Sequence, residues 1–175
     1  MKKLFLILFL FSCIHMNAIA QDSKKEAKEL KKEEQYQSLL NLIDAQHYTF
    51  RGSKAIPQKG PQVDLTTRDN FLIIKEGNAT ADLPYFGRAY SGGYSASDGG
   101  VEFDGQMEAY EVSKNDKKRR TTIKFTVKGT DDTFTCTLTV SSLNNVSLSI
   151  ISNKRQTISY TGSISELPEE NSKKE

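Results

Sequence analysis

The chain is poor in the residues that build most catalytic and metal centres. It has no tryptophan, two cysteines and two histidines, and Cys13 and His15 lie in an apolar N-terminal stretch. Once that stretch is removed, His47 and Cys136 are the remaining candidates for nucleophilic catalysis. One residue of each kind is too few for a zinc site of cysteine and histidine ligands. Cys136 also lies on the predicted inward face of a strand, which indicates an inert thiol with a raised pKa.

Long apolar runs are absent after the first twenty residues. Two lysines at positions 2–3 precede an apolar run at 4–12 that is too short to span a bilayer, and Ala-Ile-Ala at 18–20 is a typical cleavage site. We therefore expect a signal peptide and an exported protein that begins at Gln21, located in the periplasm or cell envelope, with no transmembrane span. Alternatively, Cys13 belongs to an imperfect lipobox and anchors the chain through an attached lipid.

An excess of charge of one sign is also missing. Loss of the two N-terminal lysines leaves 22 basic residues (24 − 2) and 22 acidic residues. Nucleic acid binding is therefore not expected, because it requires a basic surface. The densest basic run, residues 117–120, is typical of a solvated turn.

Alternation of apolar and polar residues is the main structural signal that is present. It predicts strands near residues 122–127, 134–140, 146–150 and 158–160, which form an antiparallel meander. Further strands are predicted near residues 47–51, 63–66, 70–75, 78–83 and 107–113, with a loop at 57–61. Phe71 to Ile74 is continuously apolar, which indicates a strand covered on both faces. The fold class is therefore all-β, an open or closed barrel that includes the lipocalin-like form, with a sandwich as the alternative.

One α-helix is expected before the strands. Ser23 to Glu26 matches a capping box, and apolar residues from Tyr36 to Ile43 follow at helical spacing until Asp44. The predicted organisation is a signal peptide at 1–20, a charged helical spacer at 21–35, a single β domain at 36–165 and a disordered tail at 166–175.

Residues 84–105 form the most unusual segment and are predicted to be a long loop. They contain six of the eleven glycines and three of the seven tyrosines. Long loops are typically functional or disordered, and the aromatic residues argue against disorder. In the binding interpretation the tyrosines line a cleft and the arginine holds a carboxylate or phosphate. The candidate ligand-binding residues are Tyr85, Arg88, Tyr90, Tyr94 and Asp98.

Other interpretations use the same segment. In a structural one, the tyrosine rings are buried with their hydroxyls bonded to the backbone, and Arg88 pairs with Asp98 or Asp104. Glu102 with these two aspartates would also suit calcium, although their spacing matches no EF-hand, or the carboxylate pair of a hydrolase. We predict no metal site and no cofactor.

The same segment resembles a known family. Leu-Pro-Tyr-Phe-Gly-Arg-Ala-Tyr at 83–90, Ser-Asp-Gly-Gly at 97–100 and Phe103 are similar to the signature of an uncharacterised secreted bacterial family, domain of unknown function 4251. The resemblance spans residues 36–165 and implies a Gram-negative envelope setting. The activity of that family is not established, so the resemblance assigns no functional residue.

The sequence favours an exported envelope protein without enzymatic activity. Its β domain is expected to bind a small molecule, a glycan or an envelope protein through residues 84–105. The alternatives are a hydrolase that uses the loop carboxylates and a structural or assembly factor of the envelope.

Overall fold

The computed structural model describes residues 25–88, 90, 100–130 and 132–168. The chain divides into two compact units, with the boundary in the sequence between Ser38 and Leu39. The predicted signal peptide, Tyr94, Asp98 and the end of the charged tail lie outside the described residues.

Residues 25–44 are α-helical, and the helix ends at Asp44 as the sequence predicts. Its charged first part, residues 25–35, is exposed throughout, with an ion pair of 2.6 Å between Lys32 Nζ and Glu29 Oε1. In the second unit, Leu39 and Ile43 are fully buried. No helix within the described part of the chain is long and apolar enough to cross a membrane.

Ten strands follow the helix in the part of the chain that the structure describes. Their bounds are β1 His47–Pro57, β2 Val63–Asp64, β3 Phe71–Lys75, β4 Asn78–Leu83, β5 Val101–Gln106, β6 Glu108–Asn115, β7 Arg120–Lys128, β8 Thr133–Ser142, β9 Asn145–Ser152 and β10 Ile158–Glu166. A short 3₁₀-helix, Asp116–Lys118, connects β6 to β7. The last four strands pair in chain order, which confirms the predicted meander.

All the strands belong to one antiparallel sheet that curls into a nearly closed barrel. The order is β5-β4-β3-β1-β10-β9-β8-β7-β6, with β2 beside β1. Met107 alone separates β5, which pairs with β4, from β6, which pairs with β7. One bent strand therefore joins both edges of the sheet. A bulge between Glu108 and Glu111, where Ala109 has a φ of 51°, supplies part of this bend.

The inward positions of the strands fill the barrel with a hydrophobic core. The largest fully buried side chains include Tyr48, Phe50, Phe125 and Tyr160. Eight-stranded barrels are narrow enough for side chains to fill them, and β5 with β6 acts here as one of eight strands once the two-residue β2 is set aside. The described side chains thus occupy the interior, and the barrel ends and outer face carry the exposed residues.

The first and last long strands meet at what we call the β1–β10 junction. The two backbones approach so closely that a Cβ on Gly162 would overlap the carbonyl oxygen of Arg51. Beside it, the buried Asn70 accepts a hydrogen bond of 2.7 Å from Gly52 N and donates to Gly52 O at 3.1 Å and to Arg68 O at 3.0 Å. One amide thus satisfies both backbone groups of Gly52, where the β1–β10 register shifts.

Some predicted boundaries are wrong. The proposed loop at 84–105 ends early, because Val101 and Phe103 point inward and residues 101–106 form β5. The strand at 71–74 is not covered on both faces: Leu72 and Ile74 are buried, whereas their neighbours are half-buried. The predicted strand at 63–66 is two residues long, and Pro57 belongs to β1 rather than to a loop.

Candidate functional site

β4, β7 and β9 run in the same direction, so the segment after β4 reaches the same barrel end as the turns β7–β8 and β9–β10. There it pairs with the last turn. Tyr90 N donates to Lys154 O at 2.7 Å, and Gln156 N donates to Arg88 O at 3.1 Å. We call residues 84–88 and 90, together with residues 152–156, the rim ribbon.

The pairing assigns a face to each side chain of the rim ribbon. The hydrogen bonds set residue 88 opposite 156 and residue 90 opposite 154 in an antiparallel arrangement. Alternate residues of a strand share a face, and directly opposite residues share that same face. Arg88, Tyr90 and Lys154 therefore lie together on one face, the front, and Arg155 lies on the other, the back.

The back of the ribbon is a packed structural contact centred on Tyr85. The half-buried Tyr85 hydroxyl lies within hydrogen-bond distance of Arg88 O, at 3.1 Å, and of Gln156 O, at 3.0 Å. The Arg155 guanidinium lies over the Tyr85 ring, 5.4 Å from its centroid, and donates to Gly100 O. Burial raises the pKa of Tyr85. These contacts match the structural interpretation of this tyrosine.

Three side chains on the front of the ribbon are open to solvent. Tyr90 is 63% exposed, one of few large hydrophobic side chains so exposed in the described chain, and Arg88 and Lys154 are exposed as well. Among the described residues, neither cation forms an ion pair, and the predicted partner Asp104 instead accepts a hydrogen bond of 2.8 Å from Thr80. Within the described part of the chain, the front therefore presents an aromatic ring beside two positive charges that form no ion pair.

A shallow polar cleft of about 480 Å³ adjoins the front face. It is lined by Lys128, Gly129, Thr130, Asp132, Thr133, Asn153 and Lys154. The Asp132 carboxylate accepts hydrogen bonds from Thr133 N, at 2.8 Å, and from Ser152 Oγ, so its oxygens already have partners in the turns. Lys154 belongs to both the cleft and the front face, which makes the two surfaces continuous.

The candidates for catalysis and metal binding are not brought together. Glu102 and Asp104 are exposed on the outer face of β5, and Asp98 lies outside the described residues. Within the described ranges, no three acidic, histidine or cysteine side chains converge on a common point that could hold a metal ion. Cys136 is fully buried on β8, and burial raises the pKa of its thiol, as the sequence predicts. In the sheet, β9 and β10 separate it from His47 on β1.

The chain matches the model of one known protein family. The model of the family described as domain of unknown function (DUF4251) matches residues 30–164. The chain belongs to the DUF4251 family. This finding confirms the resemblance seen in the sequence, and it assigns no activity.

A solved DUF4251 structure has the same fold. The crystal structure of a family protein from Bacteroides eggerthii is similar to this chain with a TM-score of 0.58 at 22% identity, covering 77% of this chain and 87% of that one. No curated protein matches the sequence significantly. The ligand and the chemistry of this DUF4251 chain must therefore be argued from its own residues.

The sequence predicts one half of the rim ribbon, the segment after β4, as a candidate site. Of the five candidate residues, Tyr85, Arg88 and Tyr90 come together there, with the first on the back and the other two on the front. The other half, residues 152–156, is predicted from the sequence only as a turn between strands, although it supplies Lys154 and Arg155. No local pattern distinguishes these two residues, because their role arises from a pairing across more than sixty positions of the DUF4251 chain.

Proposed function

We propose that this DUF4251 chain is an exported, non-enzymatic binding module of the cell envelope, and that its ligand contacts the front of the rim ribbon. The observation that carries the proposal is Tyr90: its ring is exposed while its backbone is fixed by the 2.7 Å bond to Lys154. Tyrosine and arginine are enriched where proteins bind partners. A fixed backbone also lowers the ordering cost of binding.

The contrast with the back of the ribbon supports this assignment. Tyr85 and Arg155 hold the two segments together, so the front residues are not needed for that purpose. The exposed ring and the two exposed cations form no ion pair or ring contact with the other described residues, and we propose that they contact the ligand. A polar cleft of about 480 Å³ beside them falls within the size range of small-molecule sites.

A binding role also fits the placement of the reactive groups. The Cys136 thiol is enclosed in the core, and the exposed carboxylates of Glu102 and Asp104 lie on the outer face of β5, away from a water-excluding pocket. General acid–base chemistry requires such groups to be positioned around a substrate. Binding requires only the exposed surface that the ribbon provides.

The ligand-binding part of the proposal is tested with Tyr90→Ala. The purified full chain is screened on an array of envelope polysaccharides and peptides, and the variant is compared with wild type for each hit. We expect at least a tenfold loss of affinity with a melting temperature within about 1 °C of wild type. Leu143→Ala, an exposed residue of the β8–β9 turn at the other barrel end, is the matched control and should bind normally.

Two outcomes would contradict it. A melting temperature several degrees lower for Tyr90→Ala would make the ring structural, and an array without a single Tyr90-dependent hit would remove the binding role.

Export is tested by expressing the full chain in a Gram-negative host, fractionating the cells and sequencing the N-terminus of the product. Cleavage before Gln21 is expected from the lysines at 2–3 and the Ala-Ile-Ala site at 18–20. An acylated Cys13 as the first residue would show membrane anchoring instead. An unprocessed chain in the cytoplasm would contradict export.

A further inference from the structure

We infer that the ligand of the rim ribbon is an acidic saccharide, whose carboxylate binds Arg88 and Lys154 and whose ring packs on Tyr90. This inference rests on the proposed function and adds the chemical class of the ligand. It follows from the positions of three side chains and from the lining of the adjoining cleft.

The first step concerns charge. Arg88 and Lys154 project from the same face, and neither has an ion-pair partner among the described residues. Asp132, an acid that lines the cleft, is already engaged by Ser152 and by the Thr133 backbone. A guanidinium matches the two oxygens of a carboxylate, and an ammonium adds a mobile point charge. The front face therefore selects for an anionic group.

The second step concerns geometry. The carbonyl oxygen of Lys154 accepts the hydrogen bond from Tyr90 N, and Arg88 lies two residues before Tyr90 with its own carbonyl bonded to Gln156 N. The exposed ring therefore has two exposed cations as close neighbours along the backbone pairing. A flat apolar ring bordered by cations fits a sugar whose ring presents C–H groups and whose edge carries a carboxylate.

The third step concerns the cleft. Thr130 and Asn153 are exposed, Thr133 is half-buried, and all three are neutral hydrogen-bonding side chains. Such groups pair with hydroxyls, which are the main polar groups of a saccharide. Because Lys154 belongs to both surfaces, a second sugar unit bonded to the first would enter this cleft.

Exposed carboxylates on β4 and β5 disfavour a nucleic acid as the ligand. On the outer face of β5, Glu102 and Asp104 are exposed, and Glu102 lies opposite Asp82 on β4. A phosphate backbone extending past the ribbon would meet these carboxylates, and its affinity depends on a wide basic footprint. A single carboxylate on a sugar is held by the two front cations without that requirement.

The test uses matched pairs of ligands. Oligosaccharides of glucuronate, galacturonate, mannuronate and sialate are each immobilised beside the same oligosaccharide with its carboxylates reduced to alcohols. Wild type should bind at least one acidic member tenfold more tightly than its reduced counterpart, and binding should weaken as salt rises. Lys154→Gln and Arg88→Gln should each lose at least fivefold for the acid and little for the reduced form.

The control replaces Lys117, an exposed lysine in the 3₁₀-helix at the opposite end of the barrel. Lys117→Gln makes the same change of net charge and should bind as wild type does. Thermal unfolding of each variant checks the fold, and Arg88→Gln provides a second measurement if Lys154→Gln unfolds.

The outcomes separate this inference from the proposed function. Tyr90-dependent binding that is equal for acidic and reduced sugars would overturn the acidic class and leave the binding module intact. If the chain binds none of the saccharides, the inference of an acidic saccharide is wrong. If it also binds nothing on the wider array of polysaccharides and peptides, the proposed binding function is wrong as well. Lys154-dependent binding of a single-stranded oligonucleotide or of anionic phospholipid vesicles, without saccharide binding, would also overturn it.

Discussion

The β1–β10 junction and the rim ribbon each join segments that are far apart in the sequence, but they do so differently. At the junction, backbone meets backbone with no space for a Cβ on Gly162, and the Asn70 amide satisfies the polar groups of Gly52. In the ribbon, backbone hydrogen bonds join the two segments, Tyr85 and Arg155 pack on the back, and Arg88, Tyr90 and Lys154 on the front are exposed. The structural contacts and the proposed binding surface thus lie on separate faces of the ribbon, and variants can separate their effects.

Gly162→Ala should have the largest effect on stability. The new methyl group would overlap the Arg51 carbonyl and come within 2.9 Å of Gly52 Cα, so β1 and β10 must move apart. Overpacking of this kind costs about 1–3 kcal/mol for flexible side chains, and a clash with backbone should cost at least the upper figure. Urea unfolding followed by circular dichroism measures it.

Gly105→Ala is the matched control, since Gly105 is also in a strand but its Cβ would lie 3.4 Å from the nearest atom, Lys128 O. We expect it to change the free energy of unfolding by less than about 1 kcal/mol. Equal losses for the two glycines would refute the tight approach at the junction.

Asn70→Ala should destabilise the chain by about 2–4 kcal/mol, because the Gly52 N–H and carbonyl would each lose a buried partner at about 1–3 kcal/mol per group. The measurement is again the free energy of unfolding in urea. Asn153→Ala, an exposed asparagine of the cleft, should be close to neutral for stability. If Asn70→Ala leaves the free energy of unfolding unchanged, water must replace the hydrogen bonds of the Asn70 amide.

Alkaline pH should weaken the fold through the core tyrosines. Burial raises the pKa of Tyr48 and of Tyr160, so both stay protonated in the folded state above pH 10, where the unfolded chain loses these protons. The stability they contribute is complete below about pH 10 and falls above it by about 1.4 kcal/mol per pH unit for each tyrosine. Urea unfolding at pH 9, 10 and 11 tests this, with Tyr160→Phe as the variant that should flatten the slope.

Tyr85→Phe should have the smallest effect, about 1 kcal/mol, because it removes one hydroxyl hydrogen bond to the ribbon backbone and keeps the ring under Arg155. Thermal unfolding would show it as a shift of a few degrees. Binding should change less than in Tyr90→Ala. A Tyr85→Phe variant that loses the ligand and keeps its stability would place the binding surface on the back instead.

Much of the fold could be predicted from local patterns. The meander from β7 to β10 follows from strict alternation, such as Ile123, Phe125 and Val127, and from clear turn residues between strands. β5 was missed because its two inward residues are embedded among glycines and acids, where local composition resembles a loop. Long-range register, not propensity, makes those residues a strand.

The site was less predictable for the same reason. The unusual composition of the glycine- and tyrosine-rich segment can be recognised in the sequence. Nothing in the sequence around Lys154 distinguishes it from other turn lysines, because only the backbone pairing with Tyr90 brings it to the site. Tyr85 is half-buried and Tyr90 is exposed, although they are five positions apart, because they lie on opposite faces of that pairing. Asn70 was overlooked because its partner Gly52 is eighteen residues away.

The pairing of β1 with β10 also has a consequence for biosynthesis. Tyr48 lies opposite Glu166, so the first strand pairs with the one that follows all the other strands of the sheet in chain order. A newly made chain therefore holds an unpaired β1 edge until β10 has been synthesised, and closing the barrel requires a contact across nearly the whole domain, which slows folding. The barrel can close only after β10 has left the ribosome, however early the other strands have paired.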